Sequence, residues 1–180
     1  MDIFDILGKD IKESMVAGNY LLVLISILTI PDICASIDSG NGETTEQTYK
    51  KWLDEYTCYK ANSRLFNNLI VYKQRCKLLH NGRFLNSEID QKLVDFDVYF
   101  SLPSNIKITS TNASVPITVN NKKFLQVDLE DFVGNILQGF NLWKKKVSNT
   151  KEYSDYMNDA VKYGPPDLGS GFNSNLPSFQ

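Results

Sequence analysis

The feature that most constrains this fold is a strongly apolar run, YLLVLISILTI, at residues 20–30. As a helix it would cover about half of the hydrocarbon core of a bilayer. Acidic residues precede it, where a signal peptide would carry a basic region: Asp2, Asp5, Asp10 and Glu13. The run therefore predicts a buried core helix, although its β-branched residues leave a buried strand possible. Pro31 either kinks or ends that helix, and residues 32–37 read as a further turn or two.

Two more helices are predicted in the first half of the chain, after a loop at residues 38–43 that is dense in turn formers. The first begins near residue 44, with one of two adjacent threonines as its cap. The second runs from a cap at residue 62 or 63 to about His80, where Asn81-Gly82 is a typical helix stop.

The pattern changes after Phe84 to short segments rich in β-branched and aromatic residues, separated by turn signals. These segments are residues 96–102, 106–111, 115–119 and 123–128. They predict two antiparallel β-hairpins or a small meander. Helical periodicity returns at Asp128, continues to the lysines at 144–146, and resumes in a last short helix at about 151–163.

The predicted architecture is mainly α: a helical bundle with a small antiparallel β-hairpin or meander insertion at about residues 95–128. Residues 1–163 form one helical domain in this interpretation, since 180 residues with 42% hydrophobic content suit a single core. Residues 164–180, which begin Gly-Pro-Pro, are predicted to form a flexible C-terminal tail.

The charge and cysteine content narrow the class of protein. The formal net charge is -2, so contact with nucleic acid would need a local basic patch. Cys34, Cys58 and Cys76 are odd in number and lack CxxC spacing, which argues against a disulfide framework or a thiolate metal site. We expect reduced thiols, a cytoplasmic location, no membrane anchor, and neither a cofactor nor a metal.

The candidate site lies in "RCKLLHNGR", residues 75–83, which contains the only histidine in the chain. A histidine titrates near neutral pH and can move protons, and an arginine can bind phosphate oxygens. A simpler alternative stays open at this point. A histidine in a last helical turn is often only a favourable cation there, and an arginine on a helix is often solvated or salt-bridged.

A helix that ends in Arg-x4-His, within a small helical bundle, resembles the HEPN superfamily (higher eukaryote and prokaryote nucleotide-binding domains). The matching residues are Arg75 and His80, and Cys76 stands where many active members have Asn, Asp or His. The resemblance implies metal-independent RNA cleavage at a composite site, where two motif helices meet in a homodimer. Other members of the superfamily are inactive and only bind.

Under that resemblance, Arg75 and His80 are the predicted catalytic residues. Arg75 would bind the non-bridging phosphate oxygens, and His80 would exchange protons with the ribose 2′-OH or the leaving oxygen. The predicted substrate-binding residues are Lys73, Lys77, Asn81 and Arg83. The alternative is a non-catalytic dimeric binding protein of the same fold, with an unknown protein or nucleotide partner.

Helical geometry separates the two motif residues. A five-residue step turns the helix by about 140°, so Arg75 and His80 do not share a face. The same helix is apolar nearly all round, with a stripe that includes Leu69, Tyr72 and Leu79. One side is expected to pack in its own bundle and the other to meet a second subunit, although a single-domain core would also explain the pattern.

Overall fold

A computed structural model describes residues 3–63, 65–102 and 116–159. Within these ranges the chain is mainly helical, with a small three-stranded sheet. The helices are α1 Ile3–Val16, α2 Tyr20–Ser39, α3 Glu46–Tyr56, α4 Asn68–Asn81, α5 Leu129–Val147 and α6 Lys151–Asp159. The strands are β1 Asp97–Ser101, β2 Pro116–Val119 and β3 Lys122–Asp128. The tail predicted at 164–180 and the strand predicted at 106–111 lie outside the described residues.

The apolar run forms the central helix, α2, which contacts each of the other five helices that the structure describes. Pro31 does not end it, and the helix continues to Ser39 before Gly40, whose φ of 68° allows the reversal. At 20 residues α2 is therefore long and apolar enough to span a membrane, which the shorter predicted run was not. Half of its most apolar stretch is buried inside this fold.

Side-chain caps mark the starts of three helices, α3, α4 and α5. Thr45 caps α3 in a reciprocal box with Thr48, and the Asp128 carboxylate accepts the Asp131 N–H at 2.9 Å to begin α5. The predicted start of the next helix at residue 62 or 63 was wrong. The Ser63 hydroxyl instead closes the preceding turn by donating to the Cys58 carbonyl, and Asn67 caps α4.

The sheet is mixed, in the order β1-β3-β2. β2 and β3 form the predicted antiparallel hairpin, turned by Asn120 and Asn121 with φ of 50° and 61°. The expectation of a purely antiparallel arrangement was wrong, because β1 pairs with β3 in parallel. Alternating side chains predict a strand without fixing its direction, and a parallel pair needs a longer crossover than a hairpin.

One face of the sheet packs on the helices and completes a core that is continuous with the bundle. Its buried side chains are Val98, Phe100, Leu125 and Val127. The Phe100 ring lies 5.3 Å from the Phe132 ring of α5, so α5 joins the sheet to the central helices. The sheet is thus part of the same hydrophobic core as α2.

Gly139 lies at a close approach between α5 and the end of α3. A Cβ at this position would lie 2.6 Å from the Tyr56 carbonyl oxygen, so Gly139→Ala is expected to destabilise the fold by roughly 2 kcal/mol. The matched control is Gly134→Ala on the same helix, where a Cβ meets nothing within 4 Å. That change should stabilise by about 0.5–1 kcal/mol, because alanine loses less backbone entropy. Urea unfolding of both variants checks this, and equal effects would contradict it.

Candidate functional site

Helix α4 carries the Arg-x4-His motif, and both of its ends are well defined. At its start the Asn67 side chain accepts the Ile70 N–H at 3.1 Å. At its end Gly82 adopts a left-handed φ of 63°, and its N–H donates to the Leu78 carbonyl at 3.0 Å. This capping fixes where the helix stops, and so holds the segment after His80 in one direction.

Arg75 is anchored to α2. Its Nε donates to Asp32 Oδ2 at 2.7 Å, and the two side chains are 22% and 17% exposed. Burial raises the pKa of the Asp32 carboxyl, and the hydrogen bond and charge of Arg75 only partly offset this rise. The pair therefore joins α4 to the central helix, one residue after Pro31.

Two of the predicted substrate-binding cations meet on one carboxylate. Lys77 Nζ lies 2.7 Å from Asp90 Oδ1, and Arg83 Nη1 lies 2.9 Å from Asp90 Oδ2. The Asn86 N–H donates to the same carboxylate at 3.2 Å. The Asp90 side chain is only 5% exposed, and the hydrogen bond from Arg83, with that from Lys77, holds its pKa well below the usual range.

The third cation, Lys73, is paired in a different place. Its Nζ lies 2.7 Å from Glu46 Oε2 at the start of α3, and Lys50 contacts the other oxygen at 3.1 Å. The hydrogen bond from Lys73 lowers the pKa of Glu46, followed by that from Lys50. The three predicted substrate-binding cations are thus divided between two carboxylates, Glu46 and Asp90.

His80 and Asn81 are both exposed at the C-terminal end of α4. Five residues separate His80 from Arg75, which in a helix corresponds to a rise of about 7.5 Å. Arg75 is held toward α2 while His80 faces solvent. One copy of the chain therefore does not present the two side chains on a common face.

Sequence reasoning missed the acidic partners and a buried amide. Gln74 is fully buried, and its Oε1 accepts the Leu85 N–H at 3.0 Å, which ties α4 to the segment that follows it. Asp32 gave a usable signal, because a carboxylate directly after an apolar run has to find a partner when the run is buried. The sequence around Asp90 gave no such signal, because it is an ordinary polar loop sequence.

Fold and site together define a mainly helical protein with a small mixed sheet and an ion-paired Arg-x4-His helix. No known family, no curated protein and no solved structure matches the chain. Within the described residues, no group of three or more His, Cys, Asp or Glu side chains is arranged to hold a metal ion.

Proposed function

We propose that this chain is a HEPN-like, metal-independent endoribonuclease of toxin or defence type, which acts on RNA as a cytoplasmic homodimer. The observation that carries the proposal is the combination, on one helix, of an anchored Arg75 and an exposed His80. Arg75 donates from Nε to Asp32 and from Nη1 to Cys76 Sγ at 3.8 Å, which orients its guanidinium. In this proposal its terminal nitrogens bind a phosphate when the substrate is present. The capped end of α4 keeps His80 open to a substrate.

The chemistry needs one group that moves protons and one that binds charge. In this proposal His80 takes the proton from the ribose 2′-OH or gives one to the 5′-oxygen leaving group. Arg75 stabilises the negative charge that grows on the non-bridging oxygens as the 2′-oxygen attacks phosphorus. The products are a 2′,3′-cyclic phosphate and a free 5′-hydroxyl.

A second copy of the chain would complete this site. Phe66, Ile70, Val71 and Leu78 are buried in the core. A second stripe along α4 is only half-buried: Leu69, Tyr72, Cys76 and Leu79. This half-buried stripe supports a contact with a partner α4, which would bring Arg75 of one copy near His80 of the other.

The second candidate is a non-catalytic dimeric binding protein of the same fold. The observation that favours it is the pairing of Lys73, Lys77 and Arg83 with carboxylates. Cations that already have partners contribute less to phosphate binding, because the acid has to be displaced first. In this alternative, α4 supplies an interface and no chemistry.

The test compares the purified wild type and His80→Ala on a mixed RNA substrate in EDTA. We expect the wild type to release 2′,3′-cyclic phosphate ends and His80→Ala to be slower by about 100-fold or more, the usual contribution of a general acid or base. His80 is exposed, so the substitution should leave the fold intact.

The matched control is Lys51→Ala, which removes an exposed cation from α3 and should cut RNA at the wild-type rate. Equal cutting by wild type and His80→Ala would contradict the proposal and point to a contaminating nuclease. Folded dimers that do not cut RNA would favour the non-catalytic candidate.

A further inference from the structure

The outer face of the sheet, opposite the core, carries an unusual number of apolar side chains. Phe124 of β3 is paired with Ile117 of β2 and with Asp97 of β1, so residues of all three strands share this face. Tyr99 and Val119 lie on the same face, two residues along their strands. Ile117, Val119 and Tyr99 are 47%, 51% and 38% exposed. A solvent-facing sheet surface is normally polar, so this face calls for an explanation.

The segment that follows α4 turns this face into a groove. Residues 83–86 and Ile89 form one wall, and the outer face of the sheet forms the other. The groove has a volume of about 720 Å³, within the range of small-molecule sites. Ile89, at its rim, is 67% exposed. Four of the nine large apolar side chains that are exposed in the described residues therefore meet in one place.

The charged and amide side chains of the groove, Arg83, Asn86 and Asp97, already have hydrogen-bond partners within the chain. Asp97 Oδ1 accepts the N–H and the hydroxyl of Ser87, both at 2.7 Å. The Asn86 side-chain oxygen, Oδ1, accepts the Glu88 N–H at 2.9 Å, and the side-chain nitrogen, Nδ2, donates to the other Asp97 oxygen. Arg83 binds Asp90 through two nitrogens, at 2.9 and 3.3 Å. A charged or strongly hydrogen-bonding ligand would have to break these contacts, whereas an apolar one would not.

The size of the groove argues for a small molecule. A stable protein interface typically involves about 20–30 residues on each side, and eleven residues line this groove. A nucleobase would need several free donors and acceptors for its edge, and the groove's charged and amide side chains are engaged with partners in the chain.

We propose that this groove is a binding site for a neutral, mainly hydrocarbon small molecule. The proposal does not rest on ribonuclease activity. The ligand would contact Leu85, whose N–H donates to Gln74 Oε1 of α4. It would therefore lie next to the helix that carries the Arg-x4-His motif. Binding would bury Ile89, Ile117 and Val119, which are otherwise exposed to water.

The test titrates the full chain with Nile red, a neutral dye that fluoresces in apolar surroundings. We expect saturable binding of one dye per chain and competition by decan-1-ol. Ile117→Glu should weaken dye binding by about tenfold or more, because it places a carboxylate against an apolar ligand. Ile89→Glu should do the same from the loop wall, and serves if the strand variant does not fold.

The matched control is Leu142→Glu, which changes an apolar residue of similar exposure, 52%, on α5. It should bind the dye as the wild type does. Equal weakening by Leu142→Glu, or no saturable binding by the wild type, would overturn the proposal. Displacement of the dye by a short oligoribonucleotide would also overturn it, in favour of a nucleobase. A dimer in sedimentation that Ile117→Glu dissociates would overturn it in favour of a second copy.

Discussion

Arg75→Met is expected to lower the free energy of unfolding by about 3 kcal/mol at pH 7, because it leaves the Asp32 carboxylate buried without its partner. Asp32 is only 17% exposed, so water replaces the lost contact poorly. Burial already raises the pKa of this carboxyl, and without Arg75 the pKa should rise further. The penalty should therefore shrink as the pH falls and Asp32 takes up a proton. Urea unfolding at several pH values measures it.

The double variant Asp32→Leu/Arg75→Met is the matched control for that loss. Replacing both ions by apolar side chains removes the desolvation cost together with the pair, so its stability should lie within about 1 kcal/mol of the wild type. Additive losses in the double variant would show that Arg75 and Asp32 stabilise the fold independently, contrary to this expectation.

A stable double variant also separates the two roles of Arg75, because it lacks the guanidinium in a folded chain. If it still cuts RNA, Arg75 is not catalytic.

The helices could be predicted from the sequence where neighbouring residues determine the position of the helix. The apolar run at 20–30, the threonines at 44–45 and the acidic start at Asp128 each marked an element that the structure contains. The start of α4 was wrong because Ser63 and Asn67 are both good caps, and only the turn at Cys58 decides between them. Helix α1 was not predicted, although Phe4 and Ile11 on it are buried.

Long-range partners could not be predicted. Asp32 lies 43 residues from Arg75, and nothing in the spacing of either residue names the other. The parallel pairing of β1 with β3 could not be predicted either. It depends on a long crossover connection, which the alternation of side chains along a strand does not encode. The sequence therefore predicted that Arg75 and Lys77 lie on one helix and that Arg83 follows it. It did not predict that these three cations form ion pairs with carboxylates from elsewhere in the chain.

Asp90→Asn is expected to destabilise the fold by about 2–3 kcal/mol at neutral pH. The Asp90 carboxylate accepts hydrogen bonds from Arg83, Lys77 and the Asn86 N–H in a site that is 5% exposed. An asparagine keeps one acceptor oxygen but turns an amide nitrogen toward a donor, and it removes the charge that strengthens these bonds. Chemical denaturation of both proteins near pH 7 measures the loss.

The pH dependence of that loss tests its cause. The folded-state pKa of Asp90 is well below the usual value, whereas in the unfolded chain it is about 3.9. The stability that Asp90 contributes is therefore complete above about pH 4 and disappears as the pH falls toward the folded-state pKa. The gap between wild type and Asp90→Asn should be constant from pH 8 to 5 and narrow below pH 4. A gap that does not change with pH would contradict the ion-pair explanation.

Asp95→Asn provides the control for charge alone, since Asp95 pairs with Lys123 on the surface, where its side chain is 71% exposed. Solvent screens such a pair, so this variant should unfold like the wild type.

Asp90→Asn also releases Lys77 and Arg83 from their carboxylate. If these residues bind RNA, the folded variant should bind RNA more tightly, with a steeper dependence on salt. Unchanged RNA affinity would show that the two cations serve only to fasten the end of α4 to the loop that follows it.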